Sequence, residues 1–167
     1  YSEDWNITLI NTGEDTQTGG RILKIKDYVD NTFCLTYGDG LSNINIKKLI
    51  SQHKKLKKTA TMTVVLPSGR FGAVEILKNK KINKFIEKPK GDNQWVNGGF
   101  FVLEKNIFKY LKNDQTVWEK EPLQNLAKDN QLFSFKHNGF WHPMDTLRDK
   151  IYLDSLWESK KAHWKVW

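Results

Sequence analysis

Residues 34–40 read CLTYGDG, a stretch in which strand-forming residues end on an acid flanked by two glycines. Two interpretations of this acid, Asp39, are open. Gly-Asp-Gly is favourable turn chemistry on any protein surface, so Asp39 could be an ordinary turn residue. Alternatively, it is a negative charge held at a strand end, where a phosphate or a metal ion must come very close. The rest of the sequence has to decide between the two.

Length and composition describe one globular domain. The chain has 167 residues, of which 38% are hydrophobic and well mixed with charge. Its longest apolar runs are too short to cross a membrane, so no membrane partner is expected. Cys34 is the single cysteine of the sequence, which excludes a disulfide framework and predicts a cytoplasmic location. Because the sequence begins with Tyr1, we expect residues 1–167 to form a single, N-terminally incomplete domain.

The net charge of +8, from 27 basic and 19 acidic residues, favours anionic partners. Much of it lies on one predicted helix whose apolar stripe includes Leu49 and Leu56. Nucleic-acid binding would require aromatic side chains among these lysines, and the stretch has none. A solvated helix face is therefore favoured, and nucleic acid is not an expected partner. The lysines are Lys47, Lys48, Lys54, Lys55, Lys57 and Lys58.

Hydrophobic periodicity predicts alternating strands and helices with an inserted hairpin. Thr116 and Glu119 form a predicted capping box that opens a helix ending at Leu126. This order predicts an α/β layer fold with a mostly parallel, partly mixed sheet. The predicted strands are 7–10, 32–37, 59–66, 96–103 and 131–137, the hairpin strands are 73–77 and 81–87, and the helices are 21–29, the lysine-bearing helix, 116–126 and a last one from about 145.

Two carboxylates are candidates for a metal site. Asp39 follows a predicted strand, and Asp145, in FWHPMDT, stands at a strand-to-helix junction. Ligands of open α/β sheets gather at the carboxyl ends of strands. Two acids brought there could hold Mg²⁺, which prefers one or two carboxylates together with phosphate oxygens and water. The structural alternative for Asp145 is an N-cap, with Thr146 and Asp149 as a weak capping box.

The stretch IEKPKG, residues 86–91, combines an acid and a base at a strand end. Glu87 offers an acceptor to a hydroxyl group, and Lys88 is a compact charge suited to phosphate. An exposed hairpin end with solvated charges is the alternative, and it is favoured for so short a stretch. The four histidines of the sequence lack ligand spacing, so a zinc site is not expected.

The stretch WVNGGFFV, residues 95–102, places two glycines inside an apolar strand. Gly98 and Gly99 each lower the stability of a strand by roughly 0.5–1 kcal/mol. Sequences tolerate this cost where a ligand lies against the backbone, and Asn97 could then offer donors and acceptors to a sugar. A β-bulge explains the same glycines equally well.

The stretch TGGR, residues 18–21, could present backbone N–H groups at a helix start to an anion, helped by Arg21. It is not a P-loop, because the Gly-Lys-Ser/Thr ending is absent.

In their order along the chain, several stretches together resemble the sugar nucleotidyltransferase superfamily. WVNGGFFV and FWHPMDTLRD are the more specific ones, and they resemble the cytidylyl branch, the glucose-1-phosphate cytidylyltransferases. The resemblance covers essentially the whole chain. The stretches are TGEDTQTGGRI, LTYGDG, PSGRFGAVEI, FIEKPKGDNQWVNGGFFV, TVWEKEPLQNLA and GFWHPMDTLRDKIYLDSLWES with the closing KAHWKVW.

The resemblance implies a Rossmann-like nucleotidyltransferase that joins CTP and α-D-glucose 1-phosphate into CDP-glucose and pyrophosphate. The product would feed dideoxysugar and surface-polysaccharide (O-antigen) synthesis in bacteria, and a homo-oligomer is expected. Carried over by position, Asp39 and Asp145 resemble the Mg²⁺ ligands, and Lys88 resembles a catalytic contact to the sugar phosphate. The residues that would contact substrate are Thr18, Gly19, Gly20, Arg21, Tyr37, Gly38, Gly72, Glu87, Lys88, Asn97 and Gly98.

The sequence departs from this family at its start. Relatives open with a glycine-rich GGxGTR-type loop and a catalytic lysine, and no such motif occurs here, so the first βα units are expected to be missing. Two alternatives therefore stay open: a non-catalytic module that binds sugar phosphate or assembles, and an enzyme using another NTP or hexose 1-phosphate. The net charge of +8 leaves a third, a basic nucleic-acid binder.

Overall fold

The structure, a computed structural model, describes residues 4–67, 73–78, 80–86 and 94–166. Strands and helices alternate along these residues, as predicted for an α/β fold. The strands are β1 (Thr32–Thr36), β2 (Gly40–Ser42), β3 (Ala60–Val65), β4 (Ala73–Ile76), β5 (Ile82–Ile86), β6 (Val96–Glu104), β7 (Leu132–His137) and β8 (Trp141–Pro143). The helices are α1 (Thr18–Lys24), α2 (Ile46–Leu56), α3 (Glu121–Lys128), α4 (Leu147–Glu158) and a 3₁₀ helix over Lys105–Tyr110.

The main sheet has four strands in the order β1-β6-β3-β7. Strand β6 runs antiparallel to both β1 and β3, whereas β3 and β7 are parallel. The sheet is therefore mixed, as predicted: among the described strands β1, β3 and β7 run in the same direction, and β6 runs opposite to them. The reason is geometric: the chain leaves β3 at Val65 and re-enters β6 opposite the same residue, at Val96, so β6 must reverse direction.

Successive side chains of β6 point to opposite faces of the sheet, and both faces are buried. Phe101 and Leu103 point into a core shared with Trp118 of the loop before α3, while Val102 packs on the opposite face against Leu49 of α2. All five side chains are essentially inaccessible to solvent. A sheet covered on both faces is the layer architecture that the sequence predicts.

Helix α2 follows its sequence pattern closely. The Asn45 side chain caps its start by accepting a hydrogen bond from the Lys48 N–H at 2.9 Å, and Lys57 ends it in the left-handed conformation. Leu49 and His53 are the buried positions, and the lysines at 47, 48, 54, 55 and 57 are exposed, in agreement with a solvated basic face.

Of three further local predictions, one is confirmed and two need correction. The hairpin is confirmed as β4 paired antiparallel with β5. The predicted strand at 7–10 is wrong: residues 4–12 form no strand, and Leu9 is 92% exposed, because no neighbouring strand is present among the described residues to pair with this segment. The helix predicted over 21–29 instead begins at Thr18 and ends at Lys24, since Gly19 and Gly20 pack closely against the backbone of Thr116 and Asp114.

The predicted capping box of Thr116 with Glu119 is also wrong, because α3 begins only at Glu121. The Thr116 hydroxyl oxygen instead accepts hydrogen bonds from the backbone N–H groups of Lys112 and Asn113. The Glu119 carboxylate is thereby free for other partners, which lie in the candidate active site.

Candidate active site

The carboxyl ends of β1, β3 and β7 lie at one edge of the main sheet, beside the start of β6. This is the edge at which ligands of α/β folds bind. Tyr37 and Asp39 follow β1 here, and Asn97 and Gly98 stand at the beginning of β6. The fold thus gathers at one edge residues that the sequence separates by some 60 positions.

The structure brings the segments of Asp39 and Asp145 together. Strands β2 and β8, which follow Asp39 and precede Asp145, pair antiparallel with Gly40 opposite Pro143. Just beyond this pair, the Met144 N–H donates to the backbone carbonyl of Asp39 at 2.8 Å. Both aspartates are exposed, and neither side chain has a hydrogen-bond or ion-pair partner among the described residues. The backbones of the two segments are therefore adjacent, and both side chains are open acceptors.

The structural alternative for Asp145 is wrong, because Thr146 and not Asp145 caps α4. The Thr146 N–H donates to Asp149 Oδ2 at 2.9 Å and the Thr146 hydroxyl accepts from the Asp149 N–H at 3.3 Å, which completes the capping box suspected from sequence. The same hydroxyl donates to Asp149 Oδ2 at 2.7 Å. Hydrogen bonds from Thr146, its hydroxyl foremost, together with His142, hold the pKa of Asp149 below its usual value. Asp145 has no part in this cap.

The glycines beside Asp39 are not explained by the fold. Neither Gly38 nor Gly40 has a left-handed backbone, and a Cβ added at Gly38 would meet no described atom within 4 Å. Backbone conformation and packing would both accept a side chain at position 38. The open space over Gly38 agrees with a ligand approaching Asp39.

Gly98 and Gly99 have a different explanation. The register between β3 and β6 shifts between Met62 and Val64, so these glycines lie in a β-bulge, as one of the two sequence hypotheses predicts. Gly99 has a φ of +78°, and a Cβ there would lie 2.8 Å from the Tyr37 ring. The bulge thus seats the Tyr37 ring against the strand, which any side chain at Gly99 would prevent.

Hydrogen bonds join Tyr37 to Glu119 and Asn97. The Tyr37 hydroxyl donates to Glu119 Oε1 at 2.6 Å, and Asn97 Nδ2 donates to the Tyr37 hydroxyl oxygen at 3.4 Å. The Asn97 Oδ1 accepts from the Gly99 N–H at 2.9 Å. Burial first, then the bond to Glu119 and the negative charges of Glu119 and Asp39, raise the pKa of Tyr37 far above its ordinary value. The phenol is therefore a hydrogen-bond donor at every physiological pH.

The Glu119 carboxylate also contacts the start of α1. The Thr18 hydroxyl donates to Glu119 Oε2 at 2.7 Å and accepts from the Trp118 N–H at 2.9 Å. In contrast, the backbone N–H groups of Gly19 and Gly20 both donate to the Thr116 carbonyl. Those two donors are not free, so the prediction that the start of this helix offers them to an anion is wrong.

Arg21 bonds locally in the structure. Its guanidinium donates to the Thr12 hydroxyl and to the Glu14 carbonyl, which ties the loop before α1 to the helix. A role of Thr18, Gly19, Gly20 and Arg21 in substrate binding stays a prediction.

Three of the predicted site residues, Gly72, Glu87 and Lys88, lie outside the described residues. Two further residues of this edge were missed from sequence. Glu119 was assigned to a capping box, and Trp141 was given no role although it lies in FWHPMDT. Its indole N–H donates to the Gly98 carbonyl at 2.8 Å and fixes β8 against β6.

Comparison with known proteins defines the class first. The family model described as nucleotidyl transferase matches residues 2–157, and the chain belongs to that family. Among more particular relatives, it is 50% identical over 167 residues to the glucose-1-phosphate cytidylyltransferases of Salmonella typhimurium (strain LT2) and of Salmonella typhi. Each alignment covers 99% of this chain and 65% of the relative, so the chain spans about two thirds of their length.

The fold comparison agrees with the family. A crystal structure of UDP-glucose pyrophosphorylase complexed with UDP-glucose superimposes with a TM-score of 0.64 at 16% identity, covering 90% of this chain and 65% of that one. At this identity the likeness concerns the fold alone, and it confirms the predicted Rossmann-like α/β nucleotidyltransferase fold. The resemblance seen in the sequence motifs is likewise confirmed.

Proposed function

We propose that the protein containing this chain transfers a cytidylyl group from CTP to α-D-glucose 1-phosphate, giving CDP-glucose and pyrophosphate. The identity of 50% with two glucose-1-phosphate cytidylyltransferases, extending over 99% of the chain, carries this proposal. The geometry supports it, because exposed carboxylates and sugar-type hydrogen-bonding groups meet at the ligand-binding edge of the sheet.

The chemistry would be a direct displacement. An oxygen of the sugar phosphate attacks the α-phosphorus of CTP, a new P–O bond forms, and the bond from the α-phosphorus to the bridging oxygen breaks as pyrophosphate leaves. Such transfers depend on positioning and on neutralising charge more than on covalent catalysis.

The donor chemistry of Asp39 and Asp145 fits a Mg²⁺ site. They offer hard oxygen ligands on adjacent backbone segments, without a cation partner among the described residues. Among those residues no group of three histidine, cysteine or acidic side chains could hold a metal, so the remaining ligands would come from phosphate oxygens and water. A bound Mg²⁺ would offset negative charge on the phosphates and help to orient them.

On the sugar side, we assign contacts to Tyr37, Gly38, Asn97 and Gly98, together with Gly72 and Glu87. Tyr37 and Asn97 already share a hydrogen bond, so each can orient the other toward a sugar hydroxyl. Lys88 would hold the attacking phosphate, so that charge repulsion between the two substrates does not block their approach.

On the nucleotide side, we assign contacts to Thr18 and Arg21, because the N–H groups of Gly19 and Gly20 already bind Thr116. Thr18 and Arg21 are exposed residues of α1, and Arg21 would reach a phosphate by releasing Thr12 and Glu14.

Pyrophosphate release tests the proposal. The full-length protein, incubated with CTP, glucose 1-phosphate and Mg²⁺, should release pyrophosphate and form CDP-glucose. ATP, GTP, UTP and dTTP, and mannose or galactose 1-phosphate, are the comparison substrates, and a clear preference for any of them would overturn the assignment of CTP or glucose. Salt-sensitive binding of DNA or RNA without turnover would favour the nucleic-acid alternative.

The setting of the enzyme is part of the proposal. We place it in the cytoplasm, where CTP is made, as a homo-oligomer whose product is used for surface-polysaccharide synthesis. Along α4, Leu147 and Ile151 are 71% and 59% exposed, and an apolar stripe of this kind supports association. No helix within the described part of the chain is long and apolar enough to cross a membrane.

A further inference from the structure

Glu119 stands where two parts of the edge meet. Its two carboxylate oxygens accept from different elements: Oε2 from the Thr18 hydroxyl at the start of α1, and Oε1 from the Tyr37 hydroxyl after β1. Thr18 is a predicted nucleotide contact and Tyr37 a predicted sugar contact. Glu119 itself is exposed, and no described lysine or arginine pairs with it.

Buried aromatic side chains fix the position of the Glu119 carboxylate. Trp118, the preceding residue, is fully buried and meets the Phe101 ring edge-on at 5.6 Å, and Phe101 in turn meets the Tyr37 ring edge-on at 6.1 Å. The Trp118 N–H also donates to Thr18. The backbone of residues 118–119 therefore belongs to the same rigid packing as the two hydroxyls that Glu119 joins.

We propose that Glu119 is a positioning residue, which holds Tyr37 and Thr18 in the orientations that the two substrates require. The inference rests on the proposed function. Because the carboxylate acts through two hydroxyl groups and not on the reacting atoms, the placement of its oxygens should matter more than its charge.

The variants Glu119→Gln and Glu119→Ala separate a requirement for the placement of the oxygens from a requirement for the negative charge. Glutamine keeps the shape: its oxygen accepts from one hydroxyl, and its amide donates to the oxygen of the other. Alanine removes both bonds. In the full-length enzyme we expect Glu119→Gln to lower kcat/KM no more than about threefold, and Glu119→Ala to lower it roughly tenfold or more for both substrates.

Glu121→Ala is the matched control. Glu121 is an exposed glutamate two residues away whose carboxylate pairs with Lys112, outside the edge described here. This variant should keep wild-type kinetics. Thermal melting of all variants reports whether any of them fails to fold, and kinetic constants are compared per folded molecule.

A double-mutant cycle shows through which residue Glu119 acts. Tyr37→Phe removes one of the two bonds, so Glu119→Ala should cost clearly less in the Tyr37→Phe background than in the wild type. A residue that merely supports the fold would give additive losses and no change in KM for either substrate.

The outcomes are distinct. If wild-type enzyme releases no pyrophosphate with any substrate pair, the proposed function fails and this inference falls with it. If wild-type enzyme is active, equal losses in Glu119→Gln and Glu119→Ala would mean that the charge itself is required, and additive losses with Tyr37→Phe would mean that Glu119 does not act through Tyr37. Either result overturns the positioning role.

Discussion

Each end of the four-stranded sheet carries a glutamate that accepts hydrogen bonds from two side chains, and the two differ in what surrounds them. Glu104, at the end of β6, binds Thr32 at 2.8 Å and His53 at 3.0 Å. His53 is 1% exposed, and its other ring nitrogen lies 2.8 Å from the Thr61 hydroxyl. At this end the polar groups satisfy one another.

At the opposite end, Glu119 is exposed and binds only the hydroxyl groups of Thr18 and Tyr37, and Tyr37 in turn is within electrostatic reach of Asp39. The same residue type thus belongs to a closed cluster in one place and to an open one in the other. A closed cluster contributes to stability, because removing one member leaves the others buried and unpaired. An open cluster has acceptor atoms without described partners, here the carboxylates of Asp39 and Asp145, and a ligand can bind to them.

The largest expected effect concerns the end of the sheet that carries Glu119, Asp39 and Tyr37, called the open end below. Asp39→Asn and Asp145→Asn should each lower kcat for pyrophosphate release by about a hundredfold or more, because each removes one negative oxygen ligand from the proposed metal site. The free energy of unfolding should change by no more than about 0.5 kcal/mol, since both side chains are exposed. Steady-state kinetics and urea titration measure the two quantities. Asp154→Asn, an exposed acid of α4, is the control and should leave kcat unchanged.

At the closed end, the cluster of Glu104, Thr32, His53 and Thr61, substitutions should lower stability and leave activity unchanged. His53→Ala should lower the free energy of unfolding by about 2–4 kcal/mol, because it leaves a cavity and removes the partner of Thr61 and Glu104. Activity per folded molecule should stay at the wild-type level. Lys54→Ala, an exposed neighbour on the same helix, provides the baseline for urea titration. A loss of kcat in His53→Ala without loss of stability would contradict the division between the two ends.

Two glycines of the open end sharpen the comparison. Gly99→Ala should cost about 2 kcal/mol of stability, because position 99 has a left-handed φ and its Cβ would strike the Tyr37 ring. Gly38→Ala should cost no stability, since space and backbone accept it, yet it should lower kcat/KM roughly tenfold by filling the space above Asp39. Chemical denaturation and kinetics distinguish them. A Gly38→Ala enzyme of normal activity would show that Asp39 is only a turn residue.

The smallest effect concerns the cap of α4, which follows Asp145. The pKa of Asp149 is depressed in the folded protein, so its contribution to stability is present above the ordinary aspartate pKa and is lost as the pH falls through the folded value. Asp149→Asn should therefore weaken the fall in melting temperature below about pH 4. Melting curves between pH 3 and 7 test this. An unchanged pH profile would mean that the carboxylate is not bound to Thr146 in solution.

Much of the fold was predictable because it follows from local pattern. The alternation of β6 and β7, the apolar stripe of α2 and the β4–β5 hairpin all have periods that the sequence displays. Strands β2 and β8 were missed because three residues are too few to show a period. The start of α1 was misplaced because it depends on close packing of glycines against Asp114 and Thr116, which are distant in the sequence.

The site was predictable only in part for a similar reason. Motif chemistry pointed to Asp39, Asp145 and Asn97, the family resemblance added Tyr37, and the structure brings their segments to one edge. Glu119 could not be found in this way, because its spacing from Thr116 matched a capping box, and only the tertiary structure shows that its partners are hydroxyl groups 82 and 101 positions away.

The central claim is that Asp39 and Asp145 form one divalent-cation site. Electron paramagnetic resonance with Mn²⁺ in place of Mg²⁺ tests it directly, by counting bound ions in the full-length protein with CTP and with glucose 1-phosphate. We predict that Asp39→Asn and Asp145→Asn each weaken Mn²⁺ binding at the same site, and that the double variant loses little more than either single variant. Unchanged Mn²⁺ binding in either single variant, or losses from two independent sites, would contradict the claim.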